Sequence, residues 1–120
     1  MKNTIEYRLE GEFFFGKYLV EVVDLDIARH AVERRHELLK GERKLAIVDS
    51  GRVKKMTKEA RKYLSEPFSY EGLRATAIII RSPLAAVLGN FYLRFGNFPI
   101  PTRLFRDEES AKKWLLGLNV

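Results

Sequence analysis

The stretch KLAIVDSGRVKKMTKEARKYL, Lys44 to Leu64, decides the fold. Its opening KLAIVD is a short continuous apolar run, the pattern of a strand covered on both faces. Asp49-Ser50-Gly51 ends that run with a turn signal. Thr57 then offers a hydroxyl N-cap to a helix, KEARKYLSE, and Pro67 keeps that helix from continuing far because it lacks an N–H donor. A buried strand passing quickly into a helix is the repeating half-unit of a layered α/β sheet.

Upstream, residues 4–9 alternate apolar and charged, EGE at 10–12 supplies a glycine turn, and FFFGKY at 13–18 reads as the returning strand of an antiparallel hairpin. Asp24 and Asp26 offer N-cap oxygens to a helix predicted to run to about Lys40, with Gly41 in the C′ position. Ile27, Ala31 and Leu38 share one direction on that helix, flanked by Ala28, Val32 and Leu39. Arg35 falls inside the same apolar arc, so its stem is expected to lie along the sheet with its head reaching outward to water.

Downstream, LRATAIIIRS at 73–82 is the strongest strand, and Pro83 suits a helix start. The helix LAAVLGNFYLRF, 84–95, is expected to place Leu84, Val87, Leu88, Phe91, Tyr92 and Phe95 along one broad apolar face. GNFPIP at 96–101 is a turn-rich connector and TRLFR at 102–106 a last short strand. Asp107 caps a closing helix whose buried face is Ala111, Trp114 and Leu115. Glu108 and Glu109 suit its first turn, and each has a lysine four residues on, Lys112 and Lys113. The order is β-β-α-β-α-β-α-β-α: a mixed sheet of about five strands, extended by an N-terminal antiparallel hairpin, with parallel neighbours joined by right-handed crossovers. Residues 1–120 read as a single domain without repeat or linker.

Composition excludes several chemistries. With 46% hydrophobic and 32% charged residues, 120 residues bury a core without staples. There is no cysteine, hence no disulfide framework, thiolate zinc site or Cys nucleophile. His30 and His36 lie about 120° apart on their helix and do not converge on a metal. No nucleophile elbow, phosphate-binding glycine loop or dinucleotide fingerprint is present. Glu59 and Glu66 read as solvated charges, so no catalytic residue, metal or cofactor is expected. The N-terminus lacks a signal-peptide core, and no apolar run reaches the roughly 18 residues of a membrane span. These features predict a cytoplasmic protein with no membrane insertion.

The net charge of +6 is concentrated in the middle of the chain. Residues 28–62 carry 12 Lys/Arg against 5 Asp/Glu, whereas residues 1–27 carry 3 against 6. Arg52, Lys54, Lys55, Lys58, Arg61 and Lys62 form the core of this basic cluster. Such a one-sided field suits an acidic protein, an anionic surface or nucleic acid. No aromatic residue interleaves with the cations between 43 and 62, which argues against nucleic acid beyond salt-sensitive, sequence-blind phosphate contact.

AIVDSGRVKKMTKEARKYL (46–64), ATAIII (75–80), LGNFYLRF (88–95) and FPIPTRLFRDEESAKKWL (98–115), in this element order, resemble the STAS or SpoIIAA-like fold of bacterial anti-sigma-factor antagonists. The resemblance extends to a group of small uncharacterised Bacteroidetes proteins with that fold. In the sigma-regulatory branch a serine in an Asp-Ser-Ser-Gly loop is phosphorylated by a partner kinase. Here the loop reads Asp49-Ser50-Gly51, one serine fewer, and a basic stretch precedes the helix. The resemblance therefore implies a non-enzymatic interaction or regulatory module with Asp49, Ser50 and Gly51 as a phospho-switch loop. A protein partner or a homodimer contact is expected, through the basic cluster or through the apolar surface of residues 84–95 and Phe98. The alternatives are a small carrier of an apolar or anionic, lipid-like ligand and a non-specific nucleic-acid binder.

Overall fold

The computed structural model describes residues 3–82 and 98–120. Its elements are β1 (Ile5–Glu10), β2 (Phe13–Tyr18), β3 (Val22–Val23), α1 (Leu25–Leu39), β4 (Lys44–Asp49), β5 (Lys55–Met56), α2 (Lys58–Leu64), a 3-10 turn (Pro67–Tyr70), β6 (Leu73–Ile79), β7 (Thr102–Phe105) and α3 (Glu108–Leu116). Five strands form one sheet in the order β1-β2-β4-β6-β7. The β1–β2 pair is antiparallel and every other pair is parallel. The fold is α/β with a mixed five-stranded sheet, as the sequence predicts. The expected helix over 84–95 lies outside the described residues.

β4 is the centre of the molecule. Leu45 and Ile47 point to one face, where Phe15, Ala75, Ala77 and Ile79 pack with Ala111 and Leu115 of α3. Ala46 and Val48 point to the other face, covered by α1 and α2. Small residues at Ala75, Ala77 and Ala111 let α3 lie close to the strands, and all three are fully buried. The apolar run KLAIVD is thus the consequence of a strand with no wet side.

The hairpin turn needs Gly11, whose φ of +56° is left-handed. Asp24 caps α1 by accepting the Ile27 N–H at 2.9 Å, while Asp26 lies in the first turn. The helix ends on Lys40 in the left-handed region, followed by left-handed Gly41, so the reversal uses two residues where the sequence suggested glycine alone. Thr57 and Asp107 cap α2 and α3 through Ala60 and Ser110. α2 stops at Leu64, short of the predicted KEARKYLSE, because Pro67 opens a 3-10 turn.

Two features differ from the sequence reading. β3 and β5, two residues each, pair in parallel to form a small second sheet, too short to leave a periodic signal. Arg35 does not reach water. It is 9% exposed, and its Nη2 donates to the Ser69 carbonyl and, at 3.5 Å, to that of Glu71. The 3-10 turn places those carbonyls over α1, within reach of the guanidinium, so the head turns inward.

Replacing Asp24 with Ala orphans the Ile27 amide and should lower the unfolding free energy by about 1 kcal/mol. Asp26→Ala removes only an exposed 3.8 Å pair with Arg29 and should cost ~0.5 kcal/mol or less. Urea denaturation measures both.

Candidate functional site

The Asp49-Ser50-Gly51 corner sits where β4 leaves the sheet. The Ser50 N–H donates to the Ile79 carbonyl at 2.8 Å, carrying the ladder one residue beyond the strand. Asp49 then closes the turn: its Oδ1 accepts the Gly51 N–H at 2.9 Å and its Oδ2 accepts Arg81 Nη2 at 3.1 Å. Arg81 also donates to the Arg106 carbonyl at 3.4 Å, linking the ends of β6 and β7 to the corner. A Cβ at Gly51 would lie 2.5 Å from Arg81 Nε, so a side chain at residue 51 would make the arginine shift from its place over the turn. This corner is at the carboxyl ends of parallel strands, where open α/β sheets expose their ligand sites.

The basic stretch that follows is a braced segment. The Val53 N–H returns to the Ser50 carbonyl, the Lys54 and Lys55 amides both donate to the Glu21 carbonyl, and the Thr57 N–H donates to Val23. Lys54 Nζ pairs with Glu21 at 3.5 Å, and Arg61 Nη1 turns back to the Met56 carbonyl at 2.9 Å. Arg52, Lys55, Lys58 and Lys62 are exposed and form no ion pair among the described residues. The structure therefore brings the corner and the cations together at one rim, with β3 as the backing that sequence reasoning missed.

Beneath α1 and α2 lies a mostly apolar cavity of about 320 Å³. Its floor is one row of the sheet: Tyr7, Gly16, Val48 and Ile78, in register across β1, β2, β4 and β6. Gly16 contributes no side chain there, which leaves a hollow. Arg35, Val32 and Leu64 line the helical side, Ser50, Met56 and Arg61 border the end nearest the corner, and Phe98 also lines it. Phe98 is the one described member of the expected apolar surface; Leu84, Val87, Leu88, Phe91, Tyr92 and Phe95 lie outside the described residues.

Three of the lining residues carry a buried polar side-chain atom with no hydrogen-bond partner among the described residues: Tyr7 Oη, Arg35 Nε and Thr76 Oγ1. Burial pushes the Tyr7 and Tyr18 hydroxyls up to about 12. Burial lowers Arg35, against the opposing influence of Tyr18, Tyr63 and Tyr7. No acidic side chain pairs with Arg35 among the described residues. No three His, Cys, Asp or Glu side chains gather to hold a metal among those residues, and no helix of theirs is long and apolar enough to cross a membrane.

The family described as "Domain of unknown function (DUF7793)" matches residues 7–119. The chain belongs to the DUF7793 family. Its structure is similar to that of an uncharacterized protein of the DUF3478 family from Shewanella loihica PV-4, which has a SpoIIAA-like fold. The TM-score is 0.65 and the identity 17%, covering 92% of this chain and 91% of that one. The DUF7793 domain thus has a SpoIIAA-like fold, as the element order and the strand-to-helix corner predict. No curated protein matches the chain.

Sequence reasoning missed Tyr7, Gly16 and Thr76 as one lining and misdirected Arg35. Two signals were present in the DUF7793 sequence: a glycine inside an aromatic strand, which marks a close approach or a gap, and an arginine inside an apolar helical arc.

Tyrosine is neutral when protonated, and these folded pKa values exceed the unfolded value of 10. The stability that Tyr7 and Tyr18 contribute is therefore complete below pH 10 and declines as pH rises toward 12. Thermal melts across that window should fall steeply in the wild type and less steeply in a Tyr7→Phe/Tyr18→Phe variant. Ultraviolet titration should show two late-ionising tyrosines that the variant lacks.

Proposed function

We propose that this domain is a non-catalytic interaction module that docks an acidic protein partner on the rim formed by the Asp49-Ser50-Gly51 corner and the 52–62 surface. The observation that carries this reading is the set of exposed cations without acid partners among the described residues, Arg52, Lys55, Lys58 and Lys62, on a stretch held by β3. A solvated lysine costs little to leave alone, but four on a braced backbone present a fixed positive field. Such a field steers association and sets orientation more than it adds affinity. The SpoIIAA-like fold is consistent with this role, and Arg81 lies at the corner that would receive a charge at Ser50, with Arg52 and Lys54 following it in sequence.

On this reading Ser50 is the switch. A phosphate there adds roughly −1.5 to −2 charges beside a turn already organised by Asp49 and Arg81. It would compete with Asp49 for Arg81 and weaken the positive field of the rim. Binding of the acidic partner would weaken accordingly.

Affinity capture from the source cell should recover a stoichiometric acidic protein. A Lys55→Glu/Lys58→Glu/Lys62→Glu variant, folded by circular dichroism, should lose about tenfold or more in association rate for that protein. Recovery of nucleic acid with a steep loss of affinity in salt would replace this reading with phosphate-backbone binding. Intact-mass measurement on protein from its native cell should show one phosphate that disappears in Ser50→Ala; an unmodified mass under all growth conditions would remove the switch.

A further inference from the structure

The cavity is lined by a buried cation, Arg35, that pairs with no acidic side chain among the described residues. From this we infer that the cavity is a binding site for a small apolar monocarboxylate, with Arg35 and Tyr7 holding the carboxylate and the floor around Gly16 holding the hydrocarbon.

The argument begins with charge. A guanidinium that is 9% exposed has lost most of its hydration, and a buried charge is tolerated only when it is paired and hydrogen-bonded. Arg35 has two carbonyl acceptors, both on the 3-10 turn side, and its Nε–H is left without one. Tyr7 Oη, close enough for Arg35 to influence its ionisation, is also unpaired. Arg35 Nε–H is only a donor, and Tyr7 is a protonated phenol at physiological pH. Two donors and one positive charge on residues that line one cavity favour an anionic acceptor, and a carboxylate presents oxygens in the geometry a guanidinium edge matches.

The rest of the lining specifies the body of the ligand. Val48 and Ile78 continue the floor beyond Tyr7 and Gly16, and Val32 and Leu64 face them from the helices. Such a surface favours hydrocarbon over water. The volume of about 320 Å³ equals roughly ten water molecules, room for a chain of about ten carbons. Thr76, 8% exposed, lies three strands from Tyr7 in the sheet order, roughly 14 Å away, and cannot reach the same head group.

Gly16 provides the decisive variant. A Cβ built there meets only the Phe14 ring, at 3.5 Å, an ordinary van der Waals contact, so the strand accepts a first side-chain carbon at the floor of the hollow. Valine also suits a strand position.

Isothermal titration of the full chain with decanoate and with decanol, below the concentration at which decanoate forms micelles, tests the assignment. Decanoate should bind at one site at least about tenfold more tightly than decanol. Tyr7→Phe should weaken decanoate severalfold and leave decanol unchanged; Arg35→Met should abolish the preference between them. Gly16→Val should abolish binding of both without lowering the melting temperature. Absence of saturable decanoate binding, equal affinity for the two probes, or binding indifferent to Gly16→Val would overturn the site. If Arg35→Met fails to fold, the Tyr7 and Gly16 variants decide the question. The cavity is read on the isolated protein, so its failure is distinguishable from failure of the rim reading, which requires a partner.

Discussion

The two-sided burial of β4 is the constraint on which the rest of the structure depends. A strand with Leu45 and Ile47 under α3, and Ala46 and Val48 under α1 and α2, has no freedom to slip. A one-residue shift would exchange the two faces and put each side chain against the wrong layer. The corner after Asp49 is therefore delivered to the same place by the register of the whole sheet. Its own bonds, from Asp49 to Gly51 and to Arg81, only shape what the register has already placed.

The two faces are packed differently. Under α3, alanines on β6 and on the helix allow close contact, and the buried side chains form one continuous apolar cluster. Under α1 and α2 the floor has a glycine where a larger residue would fit, and an arginine enters from above. The 3-10 turn is what makes that arginine tolerable, since it presents the Ser69 and Glu71 carbonyls to Nη2. Ser69 is itself fastened by its hydroxyl to the Tyr63 carbonyl at 2.7 Å, so the acceptors are held by α2. One face is thus filled, while the other keeps a hollow whose lining residues include donors without a partner among the described residues.

The rim and the hollow share walls. Ser50, Met56 and Arg61 border the cavity while belonging to the segment that carries the exposed cations. That segment is short and charged, and in isolation would be loop. Pairing of β5 with β3, together with the Glu21 carbonyl accepting two amides, gives it the stiffness of a sheet edge. A surface loop and an interior cavity are in this way parts of one mechanical unit, supported by β3 and the start of α2.

The sequence by itself determined the class of fold, the doubly covered strand at its centre and the helix starts. KLAIVD, the Asp24, Thr57 and Asp107 caps, Gly11 and Pro67 act through local rules: periodicity, an orphan amide, a positive φ, a missing N–H. Charge density along 52–62 was equally plain, because composition along a chain needs no coordinates. Only the tertiary structure decided what Arg35 touches, that Gly16 lies opposite Val48 and Tyr7, and that Lys55 and Met56 pair with Val22 and Val23. Each of those depends on contacts between residues far apart in sequence, and a residue's own type does not encode which distant carbonyl or strand will meet it. An arginine on an apolar helical face has two outcomes, outward to water or inward to acceptors. Here the choice was made by a turn more than thirty residues downstream.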